Sequence, residues 1–474
     1  MGNHTVEKIG GTSMSRFGEI IENIIVGSRR GADLYNRIFV VSAYGGITNM
    51  LLENKKTAEP GIYGSFAAGD NRAWQEKLEK TRQEMLKINH GFESLGLDVK
   101  CADDFVNERM DGINSCLLHL MKLGSFGHFH SEAYLPATRE LLSSVGEAHS
   151  AFNSALILQK MGVNAVFVDL SGWRDRETST MEETILSHMK DMDFSTCMPI
   201  VTGYAKCAEG VMAKFDRGYS EITFSKMAVV TQAREGIIHK EFHLCTGDPK
   251  LIGTDKVRTI GHTSFDIADQ LADMAMEAIH PQAAKEMALH NIPIRVDNAF
   301  DPGHAGTLIS NNYVSPTPRV DMICGRQDVL GIEIFDSEMV GTSGYDYRVL
   351  KAFAAHKISY IAKNTNANTI THYVSERAKG LDTCIRELQQ EFPSAVINCR
   401  KVAIIGVIGS NMKLPGFLSR AAGALADAGI NILALDQCMR QVNMQFIIER
   451  KNFVPAQIAL HHELVEKEPS CPAK

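Results

Sequence analysis

From the N-terminus to about residue 310, short runs of nearly unbroken apolar residues alternate with longer stretches of helical periodicity. The runs RIFVVSA (37–43), NAVFVDL (164–170), MPIVTGY (198–204) and IPIRVDN (292–298) lack the in–out alternation of a half-exposed strand. That is the pattern of parallel strands covered on both faces. Between them, EAHSAFNSALILQKMG (147–162) has helical spacing, with Gly162 as its stop. Such alternation predicts an α/β domain with a doubly covered sheet. Residues 70–125 differ: WQEKLEKTRQEMLKINHGFESLG is polar and helix-rich, and predicts a helical subdomain or lid over one end of the sheet.

After the proline-marked stretch NNYVSPTPRVD (311–321) an internal repeat begins. At an offset of 72, Leu330 matches Val402, Ile332 matches Ile404, Tyr345 matches Phe417, Phe353 matches Leu425, Ile358 matches Ile430, and Val374 matches Phe446. The matched positions are apolar, so the repeat is one of core positions. Each copy reads strand, helix, strand, strand, helix, the order of a ferredoxin-like βαββαβ unit. Two such units behind a catalytic-looking domain suggest a ligand-sensing half.

Composition narrows the partners. The chain has 474 residues, formal charge −7, 44% hydrophobic and 22% charged residues, an ordinary balance for a globular protein with no basic footprint for nucleic acid. Its ten cysteines form no C-x-x-C pair, and are expected as reduced thiols. No apolar run reaches the ~18 residues of a membrane span, and the first residues lack a signal peptide's apolar region. A cytoplasmic protein without membrane or nucleic-acid partners is the expectation.

Four stretches carry chemistry. KIGGTS (8–13) puts Lys8, Gly10, Gly11, Thr12 and Ser13 between a short strand and a helix, where backbone N–H groups can face a phosphate. It has neither the Walker A nor the G-x-G-x-x-G spacing. VVSAYGGITN (40–49) ends another buried strand with Ser42 and Thr48 at the carboxyl edge of the sheet, where ligands sit in open α/β folds. SVGEAHS (144–150) is read as a helix start with Glu147 in its first turn, and KFDRGYSEIT (214–223) sets Arg217, Gly218, Ser220 and Glu221 ahead of another helix. Taken singly, each also suits an ordinary turn, cap or solvated charge. His461-His462-Glu463 lacks H-E-x-x-H spacing and is read as structure, as are the scattered methionines.

Together the four strings resemble the active-site motifs of the amino-acid kinase superfamily, and the chain is similar to aspartokinases approximately end to end. Asp248-Pro249-Lys250, His280-Pro281 and FDPGHAGT (300–307) match further family punctuation, and the repeat matches the family's tandem ACT domains. The resemblance implies an α/β fold: an amino-acid kinase α/β/α sandwich with a mostly parallel sheet at 1–312, then ACT-like regulatory domains at 320–396 and 397–474. It implies transfer of the γ-phosphoryl of ATP, with Mg²⁺ on the nucleotide, to the side-chain carboxylate of L-aspartate.

By the same resemblance Lys8 bridges phosphoryl donor and acceptor, with Glu221 as its partner. Glu147 takes the substrate ammonium, and Arg217 clamps the α-carboxylate. Ser42, Thr48 and Ser220 serve the substrate. Gly10, Gly11, Thr12, Ser13, Gly218, His239, Lys240, Asp248 and Lys250 serve the nucleotide and its phosphates. Ser343-Gly344 and Pro415-Gly416 open the first helix of each ACT-like unit and are the places for an amino-acid effector, in a homodimer joined through residues ~320–474.

The chain also departs from the family. Tyr219 and Glu221 stand where the family has glycine and aspartate, Ala148-His149 replaces an arginine–leucine pair, His239-Lys240-Glu241 replaces the T-D-V strand, and a family lysine falls at Glu277. These changes resemble a divergent group associated with ectoine biosynthesis. A kinase for glutamate or another small carboxylate, and a catalytically silent amino-acid sensor, are the competing readings.

Overall fold

The computed structural model describes residues 2–177, 179–215, 218–274, 276 and 279–467. The chain divides into two compact units: 1–243 with 279–311, and 244–278 with 312–474.

In the first unit, seven strands lie side by side in the order Ala165–Val168, Met198–Thr202, Arg37–Val41, Thr5–Ile9, Glu235–Lys240, Ile294–Asn298, Thr307–Ser310. All neighbours are parallel except the last pair. Arg37–Val41 and Met198–Thr202 are buried at every position, as their unbroken apolar runs predict. Thr5–Ile9 is central, and the chain winds to one side of it and then to the other. The carboxyl end of this strand is therefore a topological switch point, where the flanking loops splay and leave a crevice.

Residues 70–125 form an antiparallel helical hairpin, Asn71–Gly91 and Val99–Gly124, whose starts are capped by the side chains of Asp70 and Asp98. The hairpin packs on helix Leu135–Lys160 through the stacked rings of Phe105 and Phe152, 4.2 Å apart. Arg109 reaches from it to Asp169 at 2.6 Å.

In the second unit, a six-stranded antiparallel sheet has the order Tyr360–Thr365, Thr369–Ser375, Arg319–Phe335, Val396–Ser410, Asn443–Glu449, Ile432–Asp436. The repeat positions divide between two cores: Tyr345, Phe353, Ile358 and Val374 in one, Leu425, Ile430 and Phe446 in the other, with Phe417 packed against it.

One feature differs from two self-contained βαββαβ units. The second copy supplies only strand, helix, strand, strand, helix within the described residues. Its remaining strand comes from upstream, where residues 319–326 pair with 404–410 while 329–335 pair with 396–402. Each long strand serves both cores, and register shifts mark the handover. Segment 244–278 also belongs here: the Thr246 carbonyl accepts from the Ile323 amide, and the Thr263 hydroxyl donates to Asp321. The family resemblance had placed this segment in the catalytic domain at 1–312.

Candidate active site

Lys8 lies on the central strand, in register with Val40 and Ile238 on its two neighbours. Its ammonium is 3.5 Å from Glu221 Oε1. After Ile9 the chain turns through Gly10 and Gly11 into the short helix Gly11–Met14. A Cβ on Gly11 would sit 2.6 Å from the Ala43 carbonyl oxygen, so only glycine lets these two strand ends approach so closely. Ser42 extends the neighbouring strand, its amide donating to the Ile9 carbonyl. The Gly45-Gly46 turn then leads into helix Ile47–Leu51, which carries Thr48. Gly218, at φ 126°, starts helix Tyr219–Val230 and sets Ser220 and Glu221 in its first turn.

These elements enclose a cleft of about 320 Å³. Among the residues expected from the sequence, Lys8, Gly11, Thr12, Ser42 and Thr48 line it from the first two strand ends, and Glu147, Gly218, Ser220 and Glu221 from the helices. Gly10 adjoins it, next to the Lys8 ammonium. Ser13 is buried and donates to Glu241 at 3.0 Å.

Glu147 does not begin a helix. It lies in the middle of Leu135–Lys160, 2% exposed. The serines before it return their hydroxyls to the helix backbone, Ser143 to the Arg139 carbonyl and Ser144 to that of Leu141. Pro136, in the first turn, marks the true start. A mid-helix carboxyl gains nothing from the helix dipole. Burial pushes Glu147 up to about 8, against the Ser220 hydroxyl bonded to Oε1 at 2.7 Å and the charge of Lys8. Its other oxygen, Oε2, is buried without a hydrogen-bond partner.

Glu221 behaves oppositely. Burial raises its pKa, but the charges of Lys8 and Lys240 and the His280 amide outweigh burial and hold it below the usual carboxylate range. One half-buried carboxylate thus stays ionised beside the lysines, and a second, fully buried, is left mostly protonated at neutral pH with one lone oxygen. The arrangement can neutralise a phosphoryl group and receive an ammonium.

The departures from the family pattern are accommodated by packing. Tyr219 is buried edge-on against Tyr204. His149 is fully buried, its Nε2 2.6 Å from Asn89 Oδ1 and its ring edge-on to Tyr44, and burial lowers it to about 3. Tyr44 itself lines the cleft, as do Asn49 and Lys55, which sequence reasoning left unassigned.

Other expected residues lie elsewhere. In the sequence His239-Lys240-Glu241 strand alternation separates the first two side chains. His239 shares a face with Glu7, bonds it at 2.8 Å, and is 4% exposed in a network with Arg37, so it is turned away from Lys8. Lys240 is the member whose charge acts on Glu221. Asp248 caps the short helix Pro249–Ile252, bonding the Lys250 amide, within the second unit. There too, Gly344 and Gly416 adopt left-handed conformations as caps of Tyr345–Ala355 and Phe417–Asp427, with Ser343 and Pro415 just ahead. His461 is buried between Thr246 and Glu466. Arg217, Asp216, Glu277 and Cys471 lie outside the described residues, and no disulfide joins the nine other cysteines.

Residues 3–298 match the amino acid kinase family, and residues 405–464 match an ACT domain. The chain is 49% identical over 466 residues to the aspartate kinase Ask_Ect of Stutzerimonas stutzeri (strain A1501), covering 98% of each. It is 23% identical to the aspartokinase of Candida albicans, across 98% of this chain and 90% of that one. In fold it is similar to the crystal structure of E. coli aspartokinase III in complex with aspartate and ADP, with TM-score 0.73, 19% identity, and coverage of 98% and 100%.

Proposed function

The chain belongs to the amino acid kinase family, and within it to the aspartate kinases, which use ATP to phosphorylate the side-chain carboxylate of L-aspartate; on that premise we propose how its cleft performs the reaction. Phosphoryl transfer to a carboxylate brings two anions together, so fixed positive charge and N–H donors matter more than an acid–base pair. Lys8 would bridge the transferred phosphoryl group and the acceptor oxygen, with Glu221 aiming its ammonium. Gly10, Gly11, Thr12, Ser13, Gly218 and Lys240 would hold the phosphates, and Ser42 and Thr48 the substrate oxygens. Arg217 would clamp the α-carboxylate through its planar fork.

Support for an amino acid as acceptor comes chiefly from Glu147. Its unpartnered buried Oε2 supplies one negative charge where a substrate ammonium would fit, and Ser220 fixes the other oxygen. Mg²⁺ would arrive on the ATP phosphates. Among the described residues no group of three or more His, Cys, Asp or Glu has the arrangement of a metal site.

The second unit would dimerise with its copy in a second chain and bind a small amino acid near Ser343-Gly344 or Pro415-Gly416, shifting the kinase between states of different activity. No described helix is long and apolar enough to cross a membrane, in keeping with a cytoplasmic enzyme. Its product would feed ectoine formation, and a deletion strain that still accumulates ectoine at high salt would refute that placement. The kinase reading is tested by ATP-dependent aspartyl hydroxamate formation across a panel of amino acids. Aspartate should be preferred, and preference for glutamate, or no turnover at all, would overturn it.

A further inference from the structure

Lys55 is exposed, yet the turn that carries it is held from four directions. The Asn54 side chain accepts from the amides of Lys56 and Thr57 at 2.9 and 3.1 Å. The Asn54 amide donates to the Glu59 carbonyl at 2.8 Å, and Ala58 takes a left-handed conformation, φ 59°, to close the loop. Glu53, just before it, is gripped by both terminal nitrogens of Arg139 at 2.6 and 2.7 Å. Gly61, just after it, donates to the Leu52 carbonyl at 2.7 Å. A solvated surface lysine needs no such scaffold. This one lines the active-site cleft, and among the described residues its ammonium has no hydrogen-bond or ion-pair partner.

The anchor shows which end of the cleft Lys55 serves. Arg139 stands on helix Leu135–Lys160, as does Glu147 eight residues on, about 12 Å along the same axis. Lys55 also follows directly from Ile47–Leu51, the helix that carries Thr48. Its supports are thus those of the acceptor end, whereas the phosphate end is built from Gly10, Gly11 and the strand bearing Lys240. In aspartate the ammonium and the α-carboxylate share one carbon. A cation at that end of the cleft would therefore meet the α-carboxylate, while the side-chain carboxylate points to Lys8.

We infer that Lys55 binds the α-carboxylate of the acceptor and so contributes to selection of aspartate over analogues lacking that charge. This rests on the kinase reading above, and on Glu147 receiving the ammonium. It gives Lys55 an oxygen of the same carboxylate that the family resemblance assigns to Arg217, a group with lone pairs for both.

The test is Lys55→Ala in the full chain, with Lys55→Arg beside it and thermal melting to check folding. The KM for aspartate should rise about tenfold in Lys55→Ala, the size of one lost charged hydrogen bond at a solvent-facing site. The KM for ATP and kcat should stay within about twofold, and Lys55→Arg should recover most of the loss. Aspartate α-amide, which keeps the ammonium and the reacting carboxylate, provides the readout that a merely structural role would not move. The wild type should prefer aspartate over the amide, and Lys55→Ala should reduce that preference about tenfold. Equal losses on aspartate and its amide, or a matching rise in the KM for ATP, would overturn the assignment. Absence of aspartate turnover in the wild type would instead refute the kinase reading, and calorimetric aspartate binding to wild type and Lys55→Ala would still decide the role of the lysine.

Discussion

Glu147 makes aspartate binding a proton-coupled event. In the free enzyme its carboxyl titrates at about 8, so at pH 7 roughly 90% of molecules carry the proton. A substrate ammonium docking on Oε2 favours the ionised form and expels that proton. Aspartate binding at pH 7 should therefore release about 0.9 proton, falling toward about 0.5 at pH 8. Affinity should rise up to tenfold per pH unit between pH 6 and about 8, then level off. Calorimetry in buffers of different ionisation enthalpy measures the proton count, and kcat/KM for aspartate should follow the same pH profile.

The sign for stability is independent and opposite. Folding lifts this carboxyl from 4.5 to about 8, so the folded state holds more protons across that window and loses stability as pH rises through it. The full loss is on the order of 5 kcal/mol. Glu147→Gln removes the titration: at pH 8.5 the free variant should melt higher than wild type, while aspartate binding weakens at every pH. Binding without proton release, or a Glu147→Gln variant that keeps the pH profile of wild type, would refute the reasoning.

Other perturbations address the remaining parts. Lys8→Ala should lower kcat about 10²–10³-fold, the range for one preorganised electrostatic group, and near wild-type turnover would remove Lys8 from the mechanism. Arg217→Lys keeps the charge but loses the fork, so the KM for aspartate should rise far more than that for ATP, an equal rise moving Arg217 to the nucleotide. Glu7→Gln leaves Arg37, 6% exposed, without its buried partner and should cost about 3–5 kcal/mol in denaturant unfolding. Burial raises the Glu7 pKa, but Arg37 and His239 outweigh burial and depress it, so wild type should lose this contribution as pH falls below 4.5 and the variant should not. Dimerisation is tested on the full chain, because cutting at 312 would strip segment 244–278 of the unit it packs with. Phe335 and Val396 are exposed and in register, and Phe335→Arg with Val396→Arg should yield monomers by light scattering if the joined face includes them.

The features legible in the sequence are those that a local pattern records. Continuous apolar runs located the parallel strands because burial on both faces leaves no polar alternation. The 72-residue repeat located the two ACT-like cores because packing is conserved between copies at matched positions such as Phe353 and Leu425. Pairing between distant segments leaves no such trace. Nothing in residues 319–326 announces that they complete the second core instead of the first, since a strand is equally apolar beside either partner. Segment 244–278 was likewise placed with the catalytic domain, though the Thr246 carbonyl and the Thr263 hydroxyl bond to strand 319–335.

The same distinction runs through the site. Lys8, the glycine pair and Gly218 are readable because a strand end, a close approach and a positive φ each demand a residue type. Glu147 was found but misplaced, since its helix starts at Leu135, well upstream of the SVGEAHS stretch. Lys55 was missed because the turn that carries it is anchored through Glu53 to Arg139, 86 residues away, and no local spacing records that contact. The departures follow from neighbours as well. A histidine at 149 is accommodated by Asn89 on the helical hairpin, which bonds it, and Tyr219 by the ring of Tyr204 and the Ser143 carbonyl. Each substitution is matched by a residue from another element, so the positions around 148–149 and 219 should resist single reversion to the family residue. Ala148→Arg alone would drive a guanidinium into a fully buried site, at a cost of several kcal/mol. It should unfold the protein well before it alters the chemistry, and an Ala148→Arg variant that melts like wild type would show that the packing around this position yields.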